Sequence, residues 1–137
     1  MKTKFIPKFW ARNSHVQTIL GSLNMRACGR NPLVECAREM IIEGGNGVRL
    51  LGYHSLQSLE RARGLVTLIH GWEGSSDSTY VLSTGKHLYD RGYDIFRLNL
   101  RDHGNSHHLN EGLFHGALIE ETFQAIYNIS HLSENRP

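Results

Sequence analysis

The chain has 137 residues, 39% hydrophobic and 20% charged, with a formal charge of +2, proportions that fit one modest globular domain. Its 15 Lys and Arg residues are scattered without a run, which argues against a nucleic-acid or anionic-membrane partner. No segment approaches the ~18 consecutive apolar residues of a membrane span, so no stable membrane anchor is expected. The basic N-terminus lacks the apolar core of a signal peptide, and the default location is cytoplasmic.

Residues 1–34 show little periodicity and read as an irregular arm packed on the body by Phe5, Ile6, Phe9, Trp10, Val16, Ile19 and Leu20. One short helix is predicted over Ser14–Leu20, and Gly29-Arg30-Asn31-Pro32 reads as a turn that ends the arm. Residues 35–137 read as the body. Segments 36–43 and 47–54 flank Gly44-Gly45-Asn46-Gly47, whose Asn-Gly supports the positive φ of a tight turn, and an antiparallel hairpin is predicted. The two cysteines, Cys28 and Cys36, form no CxxC pair and are expected to be reduced and at least partly buried, although a disulfide stays possible.

Gly64–His70 reads as a strand whose continuous apolar run implies burial on both faces, in the middle of a mostly parallel sheet. Ser75–Arg91 reads as a helix, capped by Ser76 or Asp77 and stopped by Gly92, with stripes at Val81, Gly85, Leu88 and at Tyr80, Thr84, Leu88. Tyr93–Leu100 is the next strand, and Arg101–Gly112 a polar, His-rich loop. Leu113–Leu132 follows as a second helix, with Leu118, Thr122, Ala125, Ile126, Ile129 and Leu132 on one stripe. Strands alternating with helices of this length form right-handed crossovers and a parallel sheet.

Chemistry in such folds gathers on loops at the carboxyl ends of parallel strands. His70-Gly71-Trp72-Glu73-Gly74 is such a loop. Its glycines let the backbone approach a bound group, and a backbone N–H, that of Trp72 above all, could donate to a developing oxyanion. The same residues would equally suit a strand that ends in a sharp turn with Trp72 packing. Asn99-Leu100-Arg101-Asp102-His103-Gly104-Asn105-Ser106-His107-His108 leaves the neighbouring strand at the same edge, either as the second wall of a site or as a solvated loop. His103, His107, His108 and His115 have no acidic residue at ligand spacing, so no metal is expected. Gly44–Gly47 lacks the following Lys-Ser/Thr of a phosphate loop, and no cofactor is expected.

From about Gly64 to Leu132 the chain resembles the α/β-hydrolase superfamily, and most of all its YheT-like branch of hydrolases, esterases and lipases. The resemblance is carried by Leu68-Ile69-His70-Gly71-Trp72-Glu73-Gly74-Ser75-Ser76 with Tyr80, by Arg91–Arg101, by Phe114-His115-Gly116, and by Asn13-Ser14-His15-Val16-Gln17-Thr18-Ile19. It implies a partial α/β-hydrolase fold: an N-terminal hairpin, then parallel strands alternating with helices in an incomplete sheet. It also implies that the Trp72 N–H belongs to an oxyanion hole, with His70 and Gly71 shaping its loop.

Two positions depart from the superfamily's frequent Asp-x-Arg-Gly-His-Gly: Asn99 stands at the first position, and Asp102 replaces a glycine. No serine sits in G-x-S-x-G. Gly104-Asn105-Ser106-His107-His108 has only the first glycine, and Leu82-Ser83-Thr84-Gly85 only the last. The resemblance implies that nucleophile, acid and catalytic histidine lie beyond Pro137, that a full-length relative cleaves a small acyl ester, and that these residues alone are inert. The competing reading is a non-catalytic module that holds a ligand or partner on the same scaffold.

Overall fold

The computed structural model describes residues 6–22, 30–58 and 62–133. A 3-10 turn at Phe9–Arg12 precedes α1 (Ser14–Ser22) and the single turn α2 (Pro32–Glu35). The body then runs β1 (Arg38–Glu43), β2 (Arg49–Ser55), β3 (Leu65–Ile69), α3 (Thr79–Tyr89), β4 (Asp94–Leu98) and α4 (Ile119–Ser130), closing on a 3-10 turn at His131–Ser133.

The predicted hairpin forms. Gly45, Asn46 and Gly47 all take left-handed backbone, with φ of 80°, 51° and 79°, conformations that glycine and asparagine adopt at little steric cost. This pins the register so that Ile42 faces Leu50 on the core side. The sheet order is β1-β2-β4-β3, with β2 antiparallel and β3 parallel to β4. The β3–α3–β4 unit is the predicted crossover.

β4 is the central strand, and every residue in it is buried. The expected central position of the Gly64–His70 strand is corrected: β3 lies at the sheet's edge, only partly covered, with Ile69 37% exposed. Its apolar run suits burial on both faces, but among the described residues no strand pairs with its outer side.

Two layers flank the sheet. On one face α3 packs closely enough that a Cβ at Gly85 would lie 2.7 Å from Leu33 Cδ2 and 3.2 Å from Leu68 Cδ1. On the other face, Ala125 and Ile129 of α4 join Ile42, Leu50, Phe96 and Leu98 in the principal core. Gly52 makes room for that core, because a Cβ there would overlap the Phe96 ring. A Gly52→Ala chain should therefore lose about 1–3 kcal/mol, read as a lower urea midpoint, since the buried ring has nowhere to retreat.

Several expectations are adjusted. α3 starts at Thr79, after Ser78, and neither Ser76 nor Asp77 caps it, since both are engaged by β4 as described below. Gly92 does end it, at φ 88° and with its N–H on Tyr89 O. Val81 and Gly85 are buried, whereas Tyr80 and Thr84 of the second stripe are exposed. α4 begins at Ile119, not Leu113, because residues 113–118 continue the loop through Gly116 and a Leu118 N–H to His115 O turn. Asn31, in the expected turn, caps α2.

Cys36 is exposed, contrary to expectation, with its thiol 3.2 Å from Tyr89 Oη. Burial, with that contact second, pushes the Tyr89 phenol up to about 12. Cys28 and Phe5 lie outside the described residues. The arm's expected packing on the body is also corrected: Ile6, Phe9 and Trp10 are 66%, 86% and 56% exposed. Its 3-10 turn and α1 hold chiefly to each other. No helix among the described residues is long and apolar enough to cross a membrane.

Candidate active site

The parallel strands β3 and β4 send both candidate loops out at one edge, and His70 ties the loops together. His70 is 4% exposed. Its Nε2 accepts the Leu100 N–H at 3.1 Å, and its Nδ1 lies 2.8 Å from Gly71 O. An acceptor on one side and a carbonyl on the other require the neutral Nδ1–H tautomer. Burial pulls the imidazole below its usual range, and the neighbouring His103 adds to the effect. His70 is thus a neutral strut between the ends of β3 and β4.

Beyond it the backbone turns sharply. Gly74 donates to Gly71 O at 3.0 Å, and Glu73 takes φ 54°. Gly74 is required here, since a Cβ would lie 2.9 Å from Tyr80 Oη and 3.0 Å from Gly71 O. The Gly71 N–H donates to Tyr80 Oη at 2.6 Å, so the first turn of α3 holds the loop from below. Tyr80 therefore has a local task despite an exposed ring. The Trp72 side chain is 76% exposed and meets Phe114 edge-on at 6.1 Å. Among the described residues the backbone N–H groups of Trp72 and Glu73 have no acceptor, in contrast to those of Gly71, Gly74, Ser75, Ser76 and Asp77.

The next stretch is fastened to β4. The buried Ser76 donates its N–H to Asn99 Oδ1 at 2.7 Å, while its carbonyl accepts from Arg97 Nη1 at 2.8 Å. The same Nη1 reaches Asp77 Oδ1 at 2.8 Å, and the guanidinium lies over the Tyr53 ring. Arg97 is 1% exposed in the middle of the sheet, and its Nε has no partner among the described residues. Asn99, at the position where the superfamily often has Asp, also fills the space over Gly104, where a Cβ would come within 2.9 Å of Oδ1.

The second loop is tethered at several points, with Gly104, Asn105, His107 and His108 left exposed. Arg101 pairs with Glu121 of α4 through Nε at 3.1 Å and Nη2 at 2.5 Å, and donates to Glu111 O through Nη1 at 3.0 Å. Asp102 takes φ 60°, left-handed backbone of the kind a glycine adopts freely, so the substitution keeps the turn at some strain. Its carboxylate meets His107 Nδ1 at 2.6 Å, and that contact holds the carboxyl below its usual range. His103 stacks on His70 with centroids 4.7 Å apart and meets Phe114 edge-on at 4.9 Å. Ser106 is buried, with its hydroxyl given to His103 O at 2.7 Å. His108 and His115 are exposed, and His115 lines the neighbouring cleft beside Phe114. Among the described residues no group of three His, Cys, Asp or Glu side chains is arranged to hold a metal.

Beside this rim, between the β3 edge and the start of α4, lies an apolar cleft of about 330 Å³. It is lined by Ile69, Leu100, Phe114, Ile119, Phe123 and Ile126. Phe114 belongs both to the cleft and to the aromatic cluster under Trp72.

A similar fold is found in solved structures. An α/β serine hydrolase without a lid from Xanthomonas campestris superposes with a TM-score of 0.55 at 16% identity, over 72% of this chain and 44% of its own. An α/β serine hydrolase homologue from Coxiella burnetii gives 0.51 at 19% identity, over 72% of this chain and 45% of its own. The chain carries part of an α/β-hydrolase fold. It spans less than half the length of either solved structure. No family model matches the sequence, and no curated protein does.

Sequence reasoning singled out His70, Gly71 and Trp72, and these lie together at the rim. It missed Arg97, Asn99 and Glu121 as fasteners of the two loops. Arg97 did leave a signal, a lone cation alternating with Ile95, Phe96 and Leu98 in an otherwise apolar strand.

Proposed function

We propose that this chain supplies the amino-terminal half of a serine α/β-hydrolase of the YheT-like branch, which cleaves a carboxylic ester or similar acyl bond. In this reading the Trp72 N–H stabilises the oxyanion of the tetrahedral intermediate. The observation that carries it is the unengaged Trp72 N–H, beside the equally unengaged Glu73 N–H, on a loop held by the Gly71, Gly74 and Ser75 amides and anchored by the buried, neutral His70. Donors that are free in the ground state and already in place are what oxyanion stabilisation needs, and removing one typically costs about 10²–10³ in rate. Gly71 and Tyr80 set the turn, and Asn99 and Arg97 keep its far side from relaxing. The serine, acid and general base would come from residues outside this chain, and the open outer edge of β3 with the apolar cleft beside it would receive them.

Short- and long-chain p-nitrophenyl esters test the reading, offered to this chain and to a version extended through the following coding sequence. Turnover by the extended chain alone is the expected result. Turnover by the 137-residue chain would overturn the site assignment. An extended frame with no G-x-S-x-G and no turnover would favour the non-catalytic binding module. The open edge makes a second measurement informative: the isolated chain should show a low urea midpoint and a tendency to associate, because unpaired strand edges and apolar faces recruit other chains. A sharp monomeric transition at high urea would count against a missing half.

A further inference from the structure

The scatter of basic residues, which on the whole-chain charge of +2 argued against an anionic membrane, conceals an uneven distribution that reverses that expectation for the arm. Residues 1–34 contain Lys2, Lys4, Lys8, Arg12, Arg26 and Arg30 and not one Asp or Glu, whereas the other nine Lys and Arg share residues 35–137 with all 13 acidic residues. Leu33 at the arm's end is buried in the body, but in the stretch before it, from Ile6 to Leu20, most apolar residues are bare. Ile6, Phe9, Trp10 and Ile19 are each more than half exposed, and Leu20 is 39% exposed.

This exposure belongs to a locally folded piece. Asn13 Oδ1 accepts the His15 N–H at 2.9 Å and caps α1, Gln17 Nε2 donates to Ala11 O at 2.7 Å, and Arg12 Nε donates to Pro7 O at 3.3 Å. The motif Asn13-x-His15-x-Gln17-Thr18 therefore builds a self-contained turn and helix. It presents Phe9 and Trp10 beside Lys8 and Arg12.

We propose that the arm is a peripheral docking surface for a bilayer rich in anionic lipid. Bare aromatic and aliphatic side chains interleaved with cations, and free of acidic residues, match the boundary between charged headgroups and acyl chains. A nucleic acid would also attract the cations and could stack on Phe9 and Trp10. It offers nothing, however, to the exposed aliphatic Ile6, Ile19 and Leu20, and so the lipid surface is favoured. This contact is reversible and is distinct from a membrane anchor. It does not depend on the hydrolase reading.

The full 137-residue chain is floated with phosphatidylcholine vesicles, with and without phosphatidylglycerol. Binding is expected only with the anionic lipid, and should weaken several-fold at ~0.5 M salt as screening shortens the reach of the charges. In a Trp72→Phe background, Trp10 emission should shift to the blue on vesicle addition. Phe9→Ser with Trp10→Ser should reduce the bound fraction about tenfold, as should Lys8→Glu with Arg12→Glu. Ile119→Ser with Phe123→Ser, on the other bare apolar face, should leave binding unchanged. Binding lost with the Ile119 and Phe123 pair but kept by the Phe9 and Trp10 pair would overturn the proposal. So would equal binding to neutral vesicles, or binding to a single-stranded oligonucleotide with none to vesicles.

Discussion

An Arg101→Met chain should lose about 3–5 kcal/mol of stability, read as a large drop in urea midpoint. Glu121 is 7% exposed, and its carboxylate takes three contacts from the Arg101 guanidinium. Removing the cation leaves a buried negative charge. Its place in the first turn of α4 offsets some of that, but a helix N-terminus contributes only about 0.3–1 kcal/mol against a burial penalty of several. The Glu111 carbonyl loses its donor as well. Pairing Arg101→Met with Glu121→Leu should restore most of the loss, because apolar replacement of both buried partners is close to neutral. A single-variant cost below about 1 kcal/mol would place the pair with ordinary surface bridges.

The second large effect concerns acid. His70 accepts the Leu100 N–H while neutral, and protonation would set one N–H against another. Its folded-state affinity for a proton lies below that of the unfolded chain, mainly through burial. The unfolded state therefore binds more protons as pH falls, and stability declines. The contribution is complete above about pH 6.5, the unfolded value, and is lost as pH drops from there through the lower folded value. Urea midpoints from pH 8 to about pH 5 should fall, and His70→Gln, which keeps an acceptor for Leu100, should flatten the slope. His70→Leu should cost about 1–3 kcal/mol at neutral pH, the penalty for stranding a backbone donor. A parent and a His70→Gln chain with superimposable pH profiles would remove the strut from this account.

The parts of the fold that could be read from the chain were those written in local chemistry. Gly45-Asn46-Gly47 announced the hairpin because few other residues accept left-handed backbone in succession. The apolar run into His70 and the α3 stripe at Val81 and Gly85 announced the crossover. The place of β3 in the sheet could not be read this way, since a run of Leu, Val and Ile suits a central strand and an edge awaiting cover alike. The start of α4 was set too early at Leu113, since the helical stripe begins only at Leu118 and Gly112 and Gly116 break the backbone before it. The fasteners lay deeper still. Arg97 with Ser76, Asn99 with Ser76, and Arg101 with Glu121 join residues a score of positions apart or more, and no local pattern connects them. Asp77 was read as a cap because its sequence neighbourhood asks for one, whereas its partner sits on β4.

The sheet order also governs when this protein can become a protein. β1 and β2 are adjacent in sequence and close through one short turn, so they can pair as soon as they leave the ribosome. Their other neighbour is β4, where Gly52 meets Leu98, and β4 is synthesised only after β3 and α3. The hairpin must therefore persist with its core side bare until the crossover unit arrives. Distant pairings of this kind slow folding and leave sticky intermediates in the meantime. Synthesis rate across residues 56–93, and chaperone occupancy during that interval, should weigh on yield more than the strength of any single contact in the finished core.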